Sequence, residues 1–305
     1  MTSTRRTGLL LALATACISG FAVFLNGYGV KAFGNASVYT TAKNLVAAVV
    51  LLVVVTAGSR TGARVTRPQG ARQWAGLATI GVIGGSVPFL LFFEGLARAS
   101  SVQSAFIHKT LVVWVAVLAV ALLGERLSVF HWLAIALLVI GQIGLVGGAT
   151  SALGSGELMI LAATLLWSVE VVVAKRLLAG VSSWTVGLAR MVIGSVLLVA
   201  WLVVRGQAAI LLTKDATQWG WVLLTGAILA AYVSTWFAAL ARAQAVDVTA
   251  VLVLGALVTA GLQAAVLGVS VSPQLVWLAL LLAGGMLVSW RVWRTPEEMA
   301  SEVAV

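Results

Sequence analysis

Acidic residues are scarce in this chain of 305 residues. Nine Asp and Glu stand against 19 Lys and Arg, and charged residues together make up only 9% of the sequence. A soluble globular domain carries about 25%. That leaves too little polar surface to cover a particle in water, which excludes a soluble enzyme or binding module. Cysteine is nearly absent. Cys17 stands alone, which excludes an internal disulfide, a CxxC motif and a thiolate metal centre. There is no HExxH, no pair of intramembrane aspartates and no readable Ser/His/Asp set, so no enzyme, cofactor or metal is expected. No Walker motif offers ATP as an energy source. The net charge of +10 is spread over short connectors. A nucleic-acid groove needs its basic residues gathered on one soluble face, so no nucleic-acid partner is expected.

What is present is apolar. Hydrophobic residues make up 61% of the chain and the mean hydropathy is +1.09. Apolar runs of roughly 20 residues recur, the length a helix needs to cross a bilayer core. The pattern predicts ten helices, over 8–28, 36–56, 74–96, 102–122, 129–147, 157–176, 184–204, 219–240, 246–267 and 274–291. Five fall on each side of the Gly/Ser-rich stretch 147–156, which has the composition of a loop. The first segment contains LALATAC, ending at Cys17, faintly like a lipoprotein cleavage site. It reads as a retained first helix, because its removal spoils the count of five plus five.

The halves repeat. Phe93-Glu94-Gly95-Leu96-Ala97-Arg98-Ala99 returns 144 residues on as Phe237-Ala238-Ala239-Leu240-Ala241-Arg242-Ala243. The register then holds, with Gly124 on Gly268, Ser128 on Ser272 and Gly141 on Gly285. Five crossings are odd, so the second half starts from the opposite side. The expected fold is an all-α polytopic membrane protein of ten transmembrane helices, in two inverted five-helix repeats, 1–150 and 151–305. Secondary transporters use this plan, with the site near the midplane between the repeats. With the N-terminus inside, the inner face collects Arg5, Arg6, Arg60, Arg64, Arg67, Arg72, Arg126, Lys175, Arg176, Arg242, Arg291 and Arg294. The outer face holds only Lys31, Arg98, Arg205 and Lys214. The positive-inside rule therefore puts both termini in the cytoplasm, with the protein in the cytoplasmic membrane.

The element Gly124-Glu125-Arg126-Leu127-Ser128, followed by Trp132 and an apolar helix with Gly141, resembles the EamA-like branch of the drug/metabolite transporter superfamily. Gly156-Glu157-Leu158, opening a helix with Trp167, resembles it again in the second half. The likeness spans residues 8–290 or so. It implies ten helices, inverted repeats and transport of small organic metabolites, often export. Many members carry a proline in the fourth helix, thirteen residues before the Glu of this element; here that position is Val112. The repeat mate of Glu125 is Val269, so the element is not duplicated.

Charges within hydrocarbon are costly and mark function by default. Lys43, Lys109 and Arg190 qualify as bases, Glu94 and Glu170 as acids, and His108 joins them. Lys43 and Arg190 are approximate repeat mates, expected in the outer and inner thirds respectively. Two ionic clusters are expected: Lys43 with Glu94 and Lys109 outside, and Arg190 with Glu170 inside, each able to close one end of an alternating-access path. The same charges also allow a structural reading, in which Lys43 and Arg190 snorkel to opposite surfaces and Glu170 pairs locally with Lys175 or Arg176. His108 can change protonation near neutral pH and is a candidate for coupling to protons. Lys109 points about 100° away from it on the helix. His131 is expected at the interface. Gln103, Thr110 and Trp114 share one face; Trp167 and Glu170 share another, as do Tyr232 and Trp236. A mixed polar and aromatic lining suits amphipathic organic solutes. Gly81 and Gly85 read as packing contacts, and Pro88 as a kink in the third helix.

The leading expectation is a secondary carrier in the lipid bilayer, exporting amino acids or related small molecules. The alternative is an exchanger of anionic, phosphorylated or nucleotide-linked metabolites. The sequence does not fix the oligomeric state.

Overall fold

A computed structural model describes residues 2–58, 62–96, 98–99, 107–145, 154–268 and 275–293. Residues 147–153 of the expected hinge lie outside them, as do Arg60, Ala97, Gln103, Val269, Ser272 and Arg294. Among the described residues all regular structure is helical. The helices are α1 (Thr2–Phe33), α2 (Ala36–Thr56), α3 (Gly70–Leu96), α4 (Ile107–Leu123), α5 (Val129–Leu145), α6 (Ser155–Leu177), α7 (Ser183–Val204), α8 (Ala216–Leu240), α9 (Ala245–Leu267) and α10 (Leu275–Trp293). Seven of them, all but α4, α5 and α10, are long and apolar enough to cross a membrane; those three are shorter apolar helices.

Local chemistry sets the ends. The Asn35 side chain accepts the Val38 N–H at 3.0 Å and starts α2. Ser182 does the same for Thr185 in α7, and Asp215 and Gln218 form a reciprocal cap on α8. The repeat mates Gly124 and Gly268 both take left-handed backbone, with φ of 67° and 65°. They end α4 and α9 alike, in a conformation that favours glycine.

The principal helix pairings map onto themselves when the first five helices are exchanged for the last five. The contact of α1 with α8 matches that of α6 with α3. The pair α2 and α8 matches α7 and α3, and α1 and α9 matches α6 and α4. The pairs α2 with α7, α4 with α9 and α5 with α10 map onto themselves. The repeated heptapeptide lies in this packing. A Cβ at Gly8 would sit 3.0 Å from the Ala243 nitrogen, and one at Gly156 would sit 2.9 Å from the Ala99 nitrogen. The absence of a side chain lets α1 and α6 start against the corners that follow α8 and α3. Lys175, in the last turn of α6, also reaches Ala243. So α1 begins where α6 ends, and the two mates run in opposite directions.

Buried aliphatic and aromatic side chains, among them Ile80, Val115, Phe237 and Leu240, fill the interior. Leu10, Val49, Val53, Val196, Leu223 and Met286 are large, apolar and exposed. An apolar outside around a packed inside is what a hydrocarbon solvent demands, since helices satisfy their backbone polar groups internally.

Candidate functional site

The site begins with a break in α3. Pro88 has no N–H to give the Gly84 carbonyl, so the helical ladder fails there, and the chain turns through Gly84, Gly85 and Ser86. The Trp167 indole of α6 donates to that freed carbonyl at 3.1 Å. Gly84 also lies directly against the Glu170 carboxylate, and Gly85 against the backbone of Arg190 and Gly194. No larger residue fits at either position. α8, the mate of α3, is continuous, with Tyr232 where α3 has Pro88.

The break seats an ion pair. Arg190 Nε donates to Glu170 Oε1 at 2.5 Å and Nη2 donates to Oε2 at 3.4 Å. Arg190 is 6% exposed and Glu170 3%, so each depends on the other for compensation. The Arg190 guanidinium also lies 5.4 Å from the centroid of Phe89.

Lys43 lies on the same ring. Its Nζ is 5.9 Å from the Phe89 centroid, 4.7 Å from Phe93 and 5.6 Å from Tyr39. The side chain is buried, and its hydrogen bond goes to Asn26 Oδ1 of α1, at 3.2 Å. The Tyr39 hydroxyl lies 3.0 Å from the same oxygen and 2.8 Å from Thr225 Oγ1. No acid pairs with Lys43 among the described residues. Here the expectation from sequence is corrected twice. Glu94 pairs with Arg98 at 3.1 Å and accepts from Ser37 at 3.0 Å, not from Lys43. Lys43 and Arg190 do not occupy separate ends; they share one phenyl ring.

The aromatic wall continues from there. Trp167 meets Phe89 at 5.5 Å, Phe92 at 5.6 Å and His108 at 5.0 Å between centroids. His108 also meets Phe92 at 5.3 Å, and its Nδ1 is buried with no hydrogen bond among the described residues. A cavity of about 20 Å³ is lined by Ser19, His108, Lys109, Tyr232 and Thr249 among others; it has room for about one water molecule. His108 and Lys109 thus share this cavity despite their angular separation. Lys109 also borders a second small void with Thr110 and Gln142. Tyr232 stacks on Trp236 at 6.0 Å and 12°. Trp114 bonds Thr110 at 3.1 Å but is exposed on the outer surface, away from these groups.

Sequence reasoning missed a second cluster, at the end of the bundle where α1 begins. Asp247, with no exposed surface, accepts from Arg5 at 2.8 Å and lies 3.2 Å from His131 Nε2. His131 Nδ1 lies 2.9 Å from Ser128 Oγ, so His131 is buried in this network at the end of the bundle. Glu125, from the element that carried the resemblance, accepts the N–H groups of Ala245 and Val246 at 2.7 and 3.3 Å, capping α9. Lys175 donates to the carbonyls of Leu240 and Ala243, both at 2.6 Å, capping α8. Arg176 donates to Leu122. Neither base pairs with Glu170. Asp247 was legible as the mate of Gln103, a polar position that gained a charge. It fell at a predicted helix boundary and so escaped the search for buried charge.

The EamA-like transporter family model matches residues 6–147 and again 154–291, so both halves carry it. No curated protein matches the chain. A solved structure titled "Crystal structure of protein" superposes with a TM-score of 0.68 over 92% of this chain and 97% of its own, at 17% identity. At that identity the likeness is one of fold. With a duplicated family match covering most of its length, the chain belongs to the EamA-like transporter family, as a multi-pass membrane protein of two repeats.

Proposed function

We propose that this transporter is a secondary carrier that moves small organic metabolites across the cytoplasmic membrane by alternating access, with amino acids and related compounds as exported cargo. All ten helices cross the bilayer in this reading, as inverted repeats 1–150 and 151–305 with both termini cytoplasmic. The opposed directions of α1 and α6 support the inversion. The charge bias of the connectors supports the orientation.

The observation that carries the reading is the meeting of both repeats on Phe89. Lys43 from one and Arg190 from the other flank that ring, with Trp167, Phe92 and His108 behind it. A polar and aromatic centre where two mobile halves meet is where a carrier binds its cargo. Lys43, Glu170 and Arg190 set its charge. His108, Lys109 and Tyr232 line the adjoining cavity, and Trp236 backs Tyr232. Glu94, on the Arg98 side, serves gating, not binding. Trp114 faces outward and would act on the lipid side alone. Protons are the coupling ion in this reading, through His108.

Counterflow into proteoliposomes is the test. Saturable exchange of a labelled amino acid against the unlabelled one is expected. Chemical conversion of the substrate, or non-saturable flux, would refute it. Replacing His108 by Asn should flatten the pH dependence of that flux, and an unchanged profile would remove His108 from coupling. A second reading, exchange of phosphorylated or nucleotide-linked anions, draws on Lys43 and Lys109, neither of which has an acidic partner among the described residues. The same assay with a sugar phosphate separates the two.

A further inference from the structure

Lys43 and Arg190 are equivalent positions, each the eighth residue of its helix, α2 and α7. Arg190 has a carboxylate, supplied by Glu170 of α6. The helix that should supply one to Lys43 is α1, the mate of α6. Gly8 and Gly156 make the same contact on the two repeated corners, which fixes the register of α1 on α6. In that register Glu170 falls on Ala22. Lys43 therefore lacks the acid that its mate possesses. One helical turn beyond Ala22, on the same face, Asn26 offers Lys43 its neutral amide oxygen instead.

A buried ammonium without a counter-charge is costly, and a neutral acceptor compensates it only in part. Three aromatic rings around Nζ supply some attraction but no charge. The repeat thus builds two cationic positions on one ring and neutralises one of them. We infer that the cargo's own carboxylate completes the second pair: it binds Lys43 in the role that Glu170 plays for Arg190, and displaces Asn26 from Nζ. This inference rests on the carrier reading above and specifies its cargo as a small organic carboxylate. The apolar part of that cargo lies against Phe93, Phe92 and Trp167, which adjoin Lys43 through Phe89 and Phe93. Among the described residues Lys43 is the one buried cation on the ring without a carboxylate partner, which selects a monoanionic group and disfavours a dianionic phosphate at this position.

The experiment uses the full chain in proteoliposomes, with L-phenylalanine, L-leucine and their C-terminal amides as probes. Two variants are compared with wild type: Lys43→Gln, which removes the cation, and Ala22→Glu, which supplies the missing acid from the protein. For wild type, half-saturation for counterflow of the amino acids should lie at least tenfold below that of the amides. In Lys43→Gln that preference should vanish. In Ala22→Glu the amino acids should lose at least tenfold in affinity, while the protein keeps or gains thermal stability. The inference is overturned, with the carrier reading intact, if amides exchange as well as amino acids or if Lys43→Gln keeps the preference. It is also overturned if Ala22→Glu transports like wild type. Sugar-phosphate exchange with no amino-acid exchange overturns it in favour of the anion exchanger. If none of the probes and no sugar phosphate exchanges, the carrier reading itself falls and this inference with it. Should Lys43→Gln fail to fold, the amide comparison in wild type and the Ala22→Glu affinities still decide between these outcomes.

Discussion

The two ends of the bundle are built on one repeated corner yet are held in different ways. At the end where α1 begins, the corner between α8 and α9 is gripped from three sides. Lys175 holds the carbonyls that end α8, Glu125 holds the N–H groups that begin α9, and Arg5 and His131 hold Asp247. By sequence, the equivalent positions of the other repeat are Gly27, Val269, Gln103, Leu153 and Leu275. None of them is charged. What that corner shows instead is the exposed pair Arg98 and Glu94. Both arginines of the repeated heptapeptide also bond the carbonyl four residues back, Arg98 to Glu94 at 2.9 Å and Arg242 to Ala238 at 2.8 Å. The difference teaches that duplication preserved the packing of the corners and divided their electrostatics. In the alternating-access cycle proposed above, opening the α1 end breaks a buried ionic lattice, whereas opening the other end breaks, among the described residues, the exposed Arg98–Glu94 pair and the Ser37–Glu94 hydrogen bond. On that reading the two open states are unequal in energy, which is the condition for a preferred resting state.

The pair between the ends sets the scale for testing this. Glu170→Ala would leave Arg190 buried with no partner, a loss of about 3–5 kcal/mol in unfolding free energy. SDS titration of purified protein in bicelles would measure it. If the loss is under about 1 kcal/mol, buried charge does not govern stability in this bundle, and the contrast between the ends loses its physical basis.

Next in size comes the charged end. Asp247→Ala should cost about 2 kcal/mol, less than a fully buried pair, because the Arg5 side chain is 37% exposed and can turn to water. It should also shift the protein towards opening at that end. In a Cys17→Ser background, a cysteine placed at Ser19, on the cavity beside His108 and Tyr232, should react faster with a small maleimide added from the α1 side. Unchanged labelling with lowered stability would reduce the lattice to a fold element and end its role as a lock.

How far the sequence foretold the structure differs between its parts. The segments were legible because hydrophobic runs must match bilayer thickness: α2 and α7 fall within a residue of the expected 36–56 and 184–204. The buried charges Lys43, Glu170 and Arg190 were legible for the same reason. Their meeting point was not. Counting residues from the helix start puts each eighth residue about 10 Å along its helix, which gave opposite thirds of the membrane. Lys and Arg side chains are long enough to lean inward from either side, and they converge on Phe89. The three polar helpers escaped for chemical reasons. Asn26 carries no charge, Asp247 sits at a segment boundary, and the capping work of Glu125 joins parts 120 residues apart in sequence.

Packing supplies a control that both ends share. Gly8→Ala and Gly156→Ala place the same methyl at about the same approach to their corners, and each should cost about 1–3 kcal/mol as an overpacked contact. The two should agree within about 1 kcal/mol. Disagreement beyond that would mean that the corners differ in packing as well as in charge, and the contrast would need a steric explanation.

The smallest effect belongs to the exposed pair at the other end. Glu94 and Arg98 are 41% and 47% exposed at their side chains and lie four residues apart, Glu94 in the last turn of α3 and Arg98 in the turn that follows. A pair of that kind contributes under about 0.5 kcal/mol. Glu94→Gln should therefore leave unfolding nearly unchanged, and raising the salt concentration should erase what difference there is. Asp247→Ala should keep most of its effect at the same salt, because burial shields that pair from screening. The salt series thus tests the contrast without relying on absolute stabilities. Two parallel responses would mean that the lattice around Asp247 is as solvated as the exposed pair, and that both ends open against the same resistance.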